Sequence, residues 1–351
     1  MLTCILSLSL SRFVLFVFAY TSQCKAMAAL ATFRLLAFGT LAGAARVLKK
    51  RSRGSAGGVA VVYGSDQNTC PSGTQRNTSE MQCRAAMEFL DGRDRDGYNG
   101  AMSEFDWPKG CYACNSAAKS CTRGVWFNPH ETGGAQTGAR PICQSGFDIV
   151  QGGTIFVGDS DVDYWQSSKE AVPGSYNLGV GGFTCNDNLG EIDAILAAFA
   201  PTKVVLVCGE NDLAYGANVA TTFRRWQSLV EKMTAAGARV VMLGTKPEPA
   251  TTNLHTKYMK YDERIRVYVR TQAQGCGSAP KVSFVDVFPA FVSMGNPNEL
   301  YDPNEAPNYL HLGPGGYALW DQWARLALED ARCKIWLNAA CAEAESCTPA
   351  S

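Results

Sequence analysis

The chain has 351 residues, of which 46% are hydrophobic, and it carries 32 basic and 32 acidic residues. This length allows more than one domain with a substantial core. Eight basic residues precede Asp66, the first acidic residue, so the remainder has 24 basic against 32 acidic residues, a net charge of −8, which excludes the basic footprint of a nucleic-acid-binding protein.

Residues 1–65 are predicted to be a signal and targeting leader followed by a linker. An apolar core at 13–20 follows Arg12, and Ala26 offers a small residue for cleavage, which is typical of a secretory signal peptide. The alanine-rich stretch 27–48 can be a transit-type extension, a pro-segment or a weak anchor, but its arginines disfavour a stable membrane span. We expect the secretory route and an extracellular location, with an organelle reached through that route as the alternative.

Residues 66–150 are predicted to form a cysteine-rich module. An even number of cysteines behind a signal peptide indicates disulfides, whose pairing stays open. Cys111 and Cys114 could instead serve a zinc or redox site, but the only nearby histidine is His130 and no βαβ pattern surrounds them. We therefore expect no metal and no cofactor, and an accessory or spacer role. The segment resembles small cysteine-rich modules of unknown function in proteins of algae and other protists. The cysteines are Cys70, Cys83, Cys111, Cys114, Cys121 and Cys143.

From residue 152 the sequence alternates between strand and helix patterns. This alternation predicts a parallel sheet with helices on both faces, in a domain that spans 151–335 and is followed by a C-terminal tail at 336–351. The strands are nearly continuous apolar runs, as expected for burial on both sides. The predicted strands are 154–158, 176–179, 203–208, 239–244 and 282–287, and the main helices are 186–199, 219–236, 257–273 and 316–333.

Polar residues follow three of these strands. Ser160 ends the turn after the first strand, Gly182 lies in the turn after the second, and Asn211 follows the third. The carboxyl ends of parallel strands meet at one edge, so these residues can come together. A serine that attacks a carbonyl needs donors for the oxyanion, and the N–H groups of Ser160 and Gly182 and the Asn211 amide are suitable. The alternative is that these residues only build turns and helix N-caps.

A serine nucleophile also needs a base. His130 lies in the cysteine-rich module, and His255 is interpreted as a surface residue. His311 lies in a glycine-rich loop just before the last predicted helix, and such a loop can present an imidazole to the edge of the sheet. We therefore predict that His311 activates Ser160.

Four sequence blocks, around Ser160, Gly182, Asn211 and His311, resemble in order and spacing those of the SGNH (GDSL-type) esterase/lipase family over 152–330. The resemblance implies an α/β fold, a flavodoxin-like three-layer α/β/α sandwich, preceded here by the small disulfide-rich module. It implies hydrolysis of carboxylic esters of lipids, acetylated sugars or small acyl compounds. Ser160 would be the nucleophile, Gly182 and Asn211 would complete the oxyanion hole, and His311 would be the base.

The chain departs from the family pattern at Asn308, where the family has an aspartate three residues before its histidine. Asn308 can hold the imidazole tautomer as a third catalytic residue but cannot stabilise imidazolium by charge. Asp302, or Glu305 on the same loop, is the alternative source of a carboxylate that orients His311. A catalytically weak protein that binds glycans or lipids, and an acyltransferase, are the alternative functions.

Overall fold

The structure is a computed structural model, and it describes residues 60–90, 97–115, 122–146, 148–272 and 281–329. Most of the predicted leader and the whole predicted tail at 336–351 lie outside these ranges. Within them, none of the helices combines the length and the apolar character that crossing a bilayer requires.

The cysteine-rich module contains a mostly antiparallel sheet with the strand order β1-β6-β4-β5-β3, and β2 pairs with β6. Strand β1 lies inside the predicted linker, so the folded chain begins earlier than expected, because the run Ala60–Tyr63 pairs with the end of the module. Disulfides join Cys70 to Cys143 and Cys83 to Cys111, as the even cysteine count predicted. The strands are β1 (Ala60–Tyr63), β2 (Gln75–Arg76), β3 (Tyr98–Ala101), β4 (Gly110–Cys114), β5 (Gly124–Asn128) and β6 (Ala139–Ser145).

The second sheet is fully parallel and has the strand order β11-β10-β9-β7-β8. In chain order this is 2-1-3-4-5, the flavodoxin-like arrangement, so the predicted fold class is confirmed. Each strand starts at the predicted residue and ends one or two residues earlier, because the chain leaves the sheet at the carboxyl edge. The strands are β7 (Thr154–Val157), β8 (Tyr176–Asn177), β9 (Lys203–Leu206), β10 (Arg239–Leu243) and β11 (Val282–Val285).

Helices cover both faces of the parallel sheet. Side chains alternate along each strand, so that Ile155 and Val157 join one core and Phe156 joins the other. Helices α4, α6 and α7 pack on the first face, and α8 and α10 pack on the second. The helices are α1 (Glu80–Ala86), α2 (Ser160–Asp163), α3 (Ser168–Ala171), α4 (Cys185–Phe199), α5 (Glu210–Ala214), α6 (Val219–Ala235), α7 (His255–Gln272), α8 (Val287–Met294), α9 (Pro297–Leu300) and α10 (Pro314–Glu329).

The module and the parallel sheet share one hydrophobic core, which includes Cys83, Cys111, Ile155 and Val157. A buried arginine, Arg84 on α1, crosses between the two segments. Its guanidinium donates to the carboxylate of Glu191 on α4 (2.6 Å) and to the carbonyl oxygen of Leu178 (2.5 Å). The cysteine-rich module is therefore packed directly against the elements that carry the polar turns.

Asp262 on α7 links this helix to the end of β10, since its carboxylate accepts from the hydroxyl (2.7 Å) and the backbone N–H (3.2 Å) of Thr245. Burial raises the pKa of Asp262 to about 7, although the bonds from Thr245 oppose the shift. The unfolded chain releases this proton near pH ~4. The folded state keeps this proton up to a higher pH, so the free energy of unfolding falls as the pH rises from about 4 to about 7.

We expect Asp262→Asn to remove this pH dependence. At pH ~8 the free energy of unfolding of the variant exceeds that of wild type by up to about 4 kcal/mol, and near pH ~4 the two agree. Urea unfolding of both proteins with intact disulfides, across this pH range, measures the difference. Parallel pH profiles for the two proteins would contradict the assignment.

Candidate active site

The turn after β7 places Ser160 at the start of α2, half-buried at the carboxyl edge of the sheet. Asp159 is the N-cap, and its carboxylate accepts from the N–H of Asp161 (3.0 Å). Gly158 is required by close packing, because a Cβ there would lie 2.5 Å from Val162 Cγ2. The N–H of Ser160 belongs to the first helical turn, where backbone donors have no helical acceptor. It is therefore placed to donate to a bound group.

His311 lies between the serine and a carboxylate. Its Nε2 is 3.1 Å from Ser160 Oγ, and its Nδ1 is 2.5 Å from Glu305 Oε1. The second oxygen of Glu305 accepts from the N–H groups of Leu310 and His311, both at 2.8 Å. Partial burial opposes ionisation of Glu305, but these bonds outweigh it and lower its pKa. The three side chains form a serine–histidine–carboxylate chain with the geometry of a catalytic triad.

Asn308 and Asp302 are placed differently from the sequence prediction. Asn308 is exposed, and among the described residues it has no hydrogen bond to His311. The carboxylate of Asp302 caps the short 3-10 turn Pro303–Glu305, and its backbone N–H donates to the carbonyl oxygen of His311 (3.0 Å). That turn directs Glu305, its last residue, toward the imidazole. Glu305, not Asn308 or Asp302, therefore contacts Nδ1.

The oxyanion-hole candidates flank the serine because β7 lies between β8 and β9. Gly182 lies in a turn closed by the bond from Phe183 N–H to Val180 O (3.2 Å), and its φ of +79° is a conformation that favours glycine. Asn211 is the second residue of α5, and its Nδ2 donates to the carbonyl oxygen of Phe183 (3.0 Å). This leaves one amide hydrogen of Asn211 for a ligand.

A buried ion cluster lies directly behind these turns. The ammonium of Lys246 contacts the carboxylates of Asp161 (2.6 Å), Glu210 (2.8 Å) and Glu248. The three carboxylates are the one group among the described residues with the spacing of metal ligands, and the lysine provides their shared cation. Asp161 follows the serine and Glu210 precedes Asn211, so the lysine joins the turns after β7, β9 and β10.

Charge and burial compete within this cluster. Asp159 lies beside the cluster, and its pKa is raised well above the usual value, mainly by burial and then by the charge of Asp161. Burial and the charge of Glu248 raise the pKa of Glu210 in the same way. Burial alone would lower the pKa of Lys246, but the surrounding carboxylates outweigh it and raise the pKa. The lysine is therefore held in its charged form, which is the form that bonds to all three carboxylates.

A cavity of about 600 Å³ opens beside the imidazole. The Tyr164 ring, 40% exposed, meets the His311 ring edge-on with centroids 4.9 Å apart. The walls combine aromatic and polar side chains and include Tyr164, Gln166, Asp302, Glu305, Tyr317 and Asp321. The cavity has the size of a small-molecule site.

Residues 149–319 match the model of the GDSL-like Lipase/Acylhydrolase family. Three similar solved structures are of low identity. A GDSL-like lipase from Bacteroides thetaiotaomicron is 20% identical, with 50% of this chain and 87% of that chain covered and a TM-score of 0.40. A member of the lipolytic protein G-D-S-L family from Veillonella parvula is 15% identical (53% and 98% covered, TM-score 0.40). A catalytic mutant of an acetylxylan esterase from Geobacillus stearothermophilus is 16% identical (52% and 96% covered, TM-score 0.39). No curated protein matches the chain.

Proposed function

Because residues 149–319 form a domain of the GDSL-like lipase/acylhydrolase family, we propose that the protein hydrolyses carboxylic esters through an acyl-enzyme on Ser160. The observation that carries this proposal is the hydrogen-bonded chain from Ser160 through His311 to Glu305. Glu305 supplies the negative charge that Asn308 lacks, which favours a hydrolase over a binding protein on the same fold. The substrate is a small-molecule ester.

In the first half of the reaction, Ser160 Oγ attacks the ester carbonyl carbon and His311 Nε2 takes its proton. The N–H groups of Ser160 and Gly182 and the Asn211 amide stabilise the oxyanion, each donor contributing about 3 kcal/mol in the transition state. Glu305 stabilises the imidazolium. His311 then returns the proton to the leaving alcohol, and the C–O bond of the ester breaks.

In the second half, His311 accepts a proton from water, and the resulting hydroxide attacks the acyl carbon. The tetrahedral intermediate collapses, His311 protonates Ser160 Oγ, and the carboxylic acid is released. The free enzyme is regenerated with the proton count unchanged. Because Ser160 carries the acyl group between the two steps, it is the residue whose loss stops the reaction.

We also propose that the protein works in the secretory route or outside the cell. Disulfides between described residues support this location, namely Cys70–Cys143, Cys83–Cys111 and Cys185–Cys208, because disulfides persist in oxidising compartments. Fractionation of cells that express the full chain, followed by detection in the medium and in each organelle, tests this location.

A serine-reactive fluorophosphonate is expected to label the native, disulfide-intact protein, and Ser160→Ala is expected to abolish labelling. The same variant lowers ester hydrolysis by about four to six orders of magnitude, because the nucleophile is lost. Ser293→Ala, on the exposed side of α8, is the matched control and keeps both properties. Undiminished labelling of Ser160→Ala, or absence of labelling in the folded wild type, overturns the proposal.

A further inference from the structure

A third disulfide lies at the edge of the candidate active site, outside the cysteine-rich module. Cys185, the first residue of α4, follows Gly182 by three positions, and Cys208 precedes Asn211 by three positions. The two sulfurs are bonded, and both cysteines are buried. The disulfide therefore joins the turn that carries Gly182 to the turn that carries Asn211.

The turns after β8 and β9 need a link of their own, because β7 lies between these strands and they share no ladder hydrogen bonds. Two hydrogen bonds accompany the disulfide. The N–H of Cys185 donates to the carboxylate of Asp212 (2.6 Å), and the Asn211 amide donates to the carbonyl oxygen of Phe183 (3.0 Å). One covalent bond and two hydrogen bonds thus connect the turns across the position of the serine.

Tyr261 on α7 supports the same bond from behind. Its hydroxyl donates to the carbonyl oxygen of Cys208 (3.0 Å) and lies 3.7 Å from Cys185 Sγ. Its ring fills the space beside Gly209, where a Cβ would lie 2.4 Å from a ring carbon. The disulfide is therefore held between the sheet edge and a fully buried aromatic ring, which limits the positions that its two turns can take.

We propose that the Cys185–Cys208 disulfide is a positioning element of the oxyanion hole. It sets the separation of the Gly182 N–H and the Asn211 amide on the two sides of Ser160. This inference rests on the proposed ester hydrolysis. Oxyanion donors are effective because they are held in place before charge develops, and a misplacement of about 1 Å can cost a hundredfold in rate. Loss of the disulfide is consequently expected to lower kcat and to leave KM nearly unchanged, because the donors form hydrogen bonds to the oxyanion of the transition state and not to the ground-state ester.

The test compares two variants that each lose a buried disulfide. Cys185→Ser/Cys208→Ser opens a loop with a sequence separation of 23, and Cys83→Ser/Cys111→Ser, in the module, opens one of 28. Similar loop lengths give similar effects on the unfolded state, so a purely structural role affects both variants alike. Both are assayed with a short-chain p-nitrophenyl ester at a temperature where circular dichroism shows them folded.

The site variant is expected to lose kcat by about 10- to 100-fold with KM within about twofold, whereas the module variant keeps kcat within about twofold. Equal kcat losses in the two variants, or kcat retained in both, overturn the inference. Hydrogen exchange at 180–185 and 208–212, which is expected to rise only in the site variant, tests the connection between the turns without using activity. If wild type hydrolyses no ester, the proposed function fails. If wild type is active but the exchange of these turns is unchanged, the positioning role alone fails.

Discussion

Glu305→Gln is expected to lower kcat for ester hydrolysis by about three to four orders of magnitude. Glutamine has nearly the same shape but carries no charge, so it cannot stabilise the imidazolium of His311 and does not impose the required tautomer; loss of the charge at the equivalent position of a serine triad costs about four decades. Both carboxylate oxygens of Glu305 are bonded to Leu310 or His311, so the change acts mainly on the imidazole. We therefore expect KM to stay within a few-fold, which steady-state kinetics with a short-chain ester measures.

Two matched variants separate Glu305 from the other candidates of the loop. Asp302→Asn and Asn308→Ala leave the bond between Nδ1 and Glu305 in place, so both are expected to retain kcat within about tenfold, the smaller effect falling on exposed Asn308. A large loss of kcat in Asn308→Ala, with kcat of Glu305→Gln close to that of wild type, would contradict this prediction. Asn308, the position that the family pattern assigns, would then be the residue that orients His311.

The pH profile gives a further check on Glu305. Because its pKa is lowered, the Glu305 carboxylate stays ionised at pH values where an ordinary glutamate is protonated. Partial burial opposes this shift, but the bonds from His311 and Leu310 favour the charged form. The stabilisation from this group is present above the unfolded pKa of about 4.3 and is lost only as the pH falls through the lower folded value. We therefore expect no loss of activity from protonation of Glu305 between pH ~5 and ~9.

Lys246→Met is expected to lower the free energy of unfolding by about 3 to 5 kcal/mol at pH ~7, since removal of one partner leaves buried charges without compensation. The lysine is 1% exposed and faces three carboxylates. Lys232→Met is the control, because the pair of Lys232 with Asp193 is 41% and 71% exposed. Such a surface pair contributes about 0 to 1 kcal/mol. Urea unfolding of both variants with intact disulfides gives the comparison.

The deficit of Lys246→Met should shrink as the pH is lowered. Lys246 lowers the pKa of Glu210 and of Glu248 against the effect of burial. Without the ammonium, burial of these two carboxyl groups favours their protonated forms in the folded state, so lower pH favours the folded form. We expect the difference from wild type to narrow between pH ~8 and ~5. Glu248→Gln, added to the methionine variant, is expected to recover part of the loss. Equal destabilisation by Lys232→Met would contradict the role of burial.

The sequence predicts the parallel sheet well because its strands are nearly continuous apolar runs, as in Lys203–Leu206. The sequence also predicts that Ser160, Gly182 and Asn211 lie at one edge of the sheet, since each lies in the turn that follows a strand. The carboxyl ends of the strands are predicted less accurately, because the chain leaves the hydrogen-bonded sheet one or two residues before the apolar run ends. His255 is half-buried and bonded to a backbone carbonyl instead of lying on the surface.

Three features depend on contacts that spacing alone does not reveal. Glu305 reaches the imidazole only because a short 3-10 turn places it there, and a count of residues before His311 points to Asn308 instead. Lysine side chains are usually exposed, so the sequence gives no sign that Lys246 is buried. Its burial is possible because carboxylates from three separate turns surround the ammonium. The pairing of Cys185 with Cys208 follows from the strand order, although the position of each beside a polar turn is visible in the sequence.

The core shared by the cysteine-rich module and the parallel sheet has a consequence for how this protein can vary. Arg84 of the module reaches into the second segment, and Gly97 approaches α2 so closely that a Cβ there would lie 1.6 Å from the carboxylate of Asp163. The helix that carries Ser160 is thus in close contact with a segment that lies outside the family match at 149–319. Because the two segments share one hydrophobic core, we expect them to unfold in a single transition, and we expect the module to tolerate few changes at the positions that contact α2.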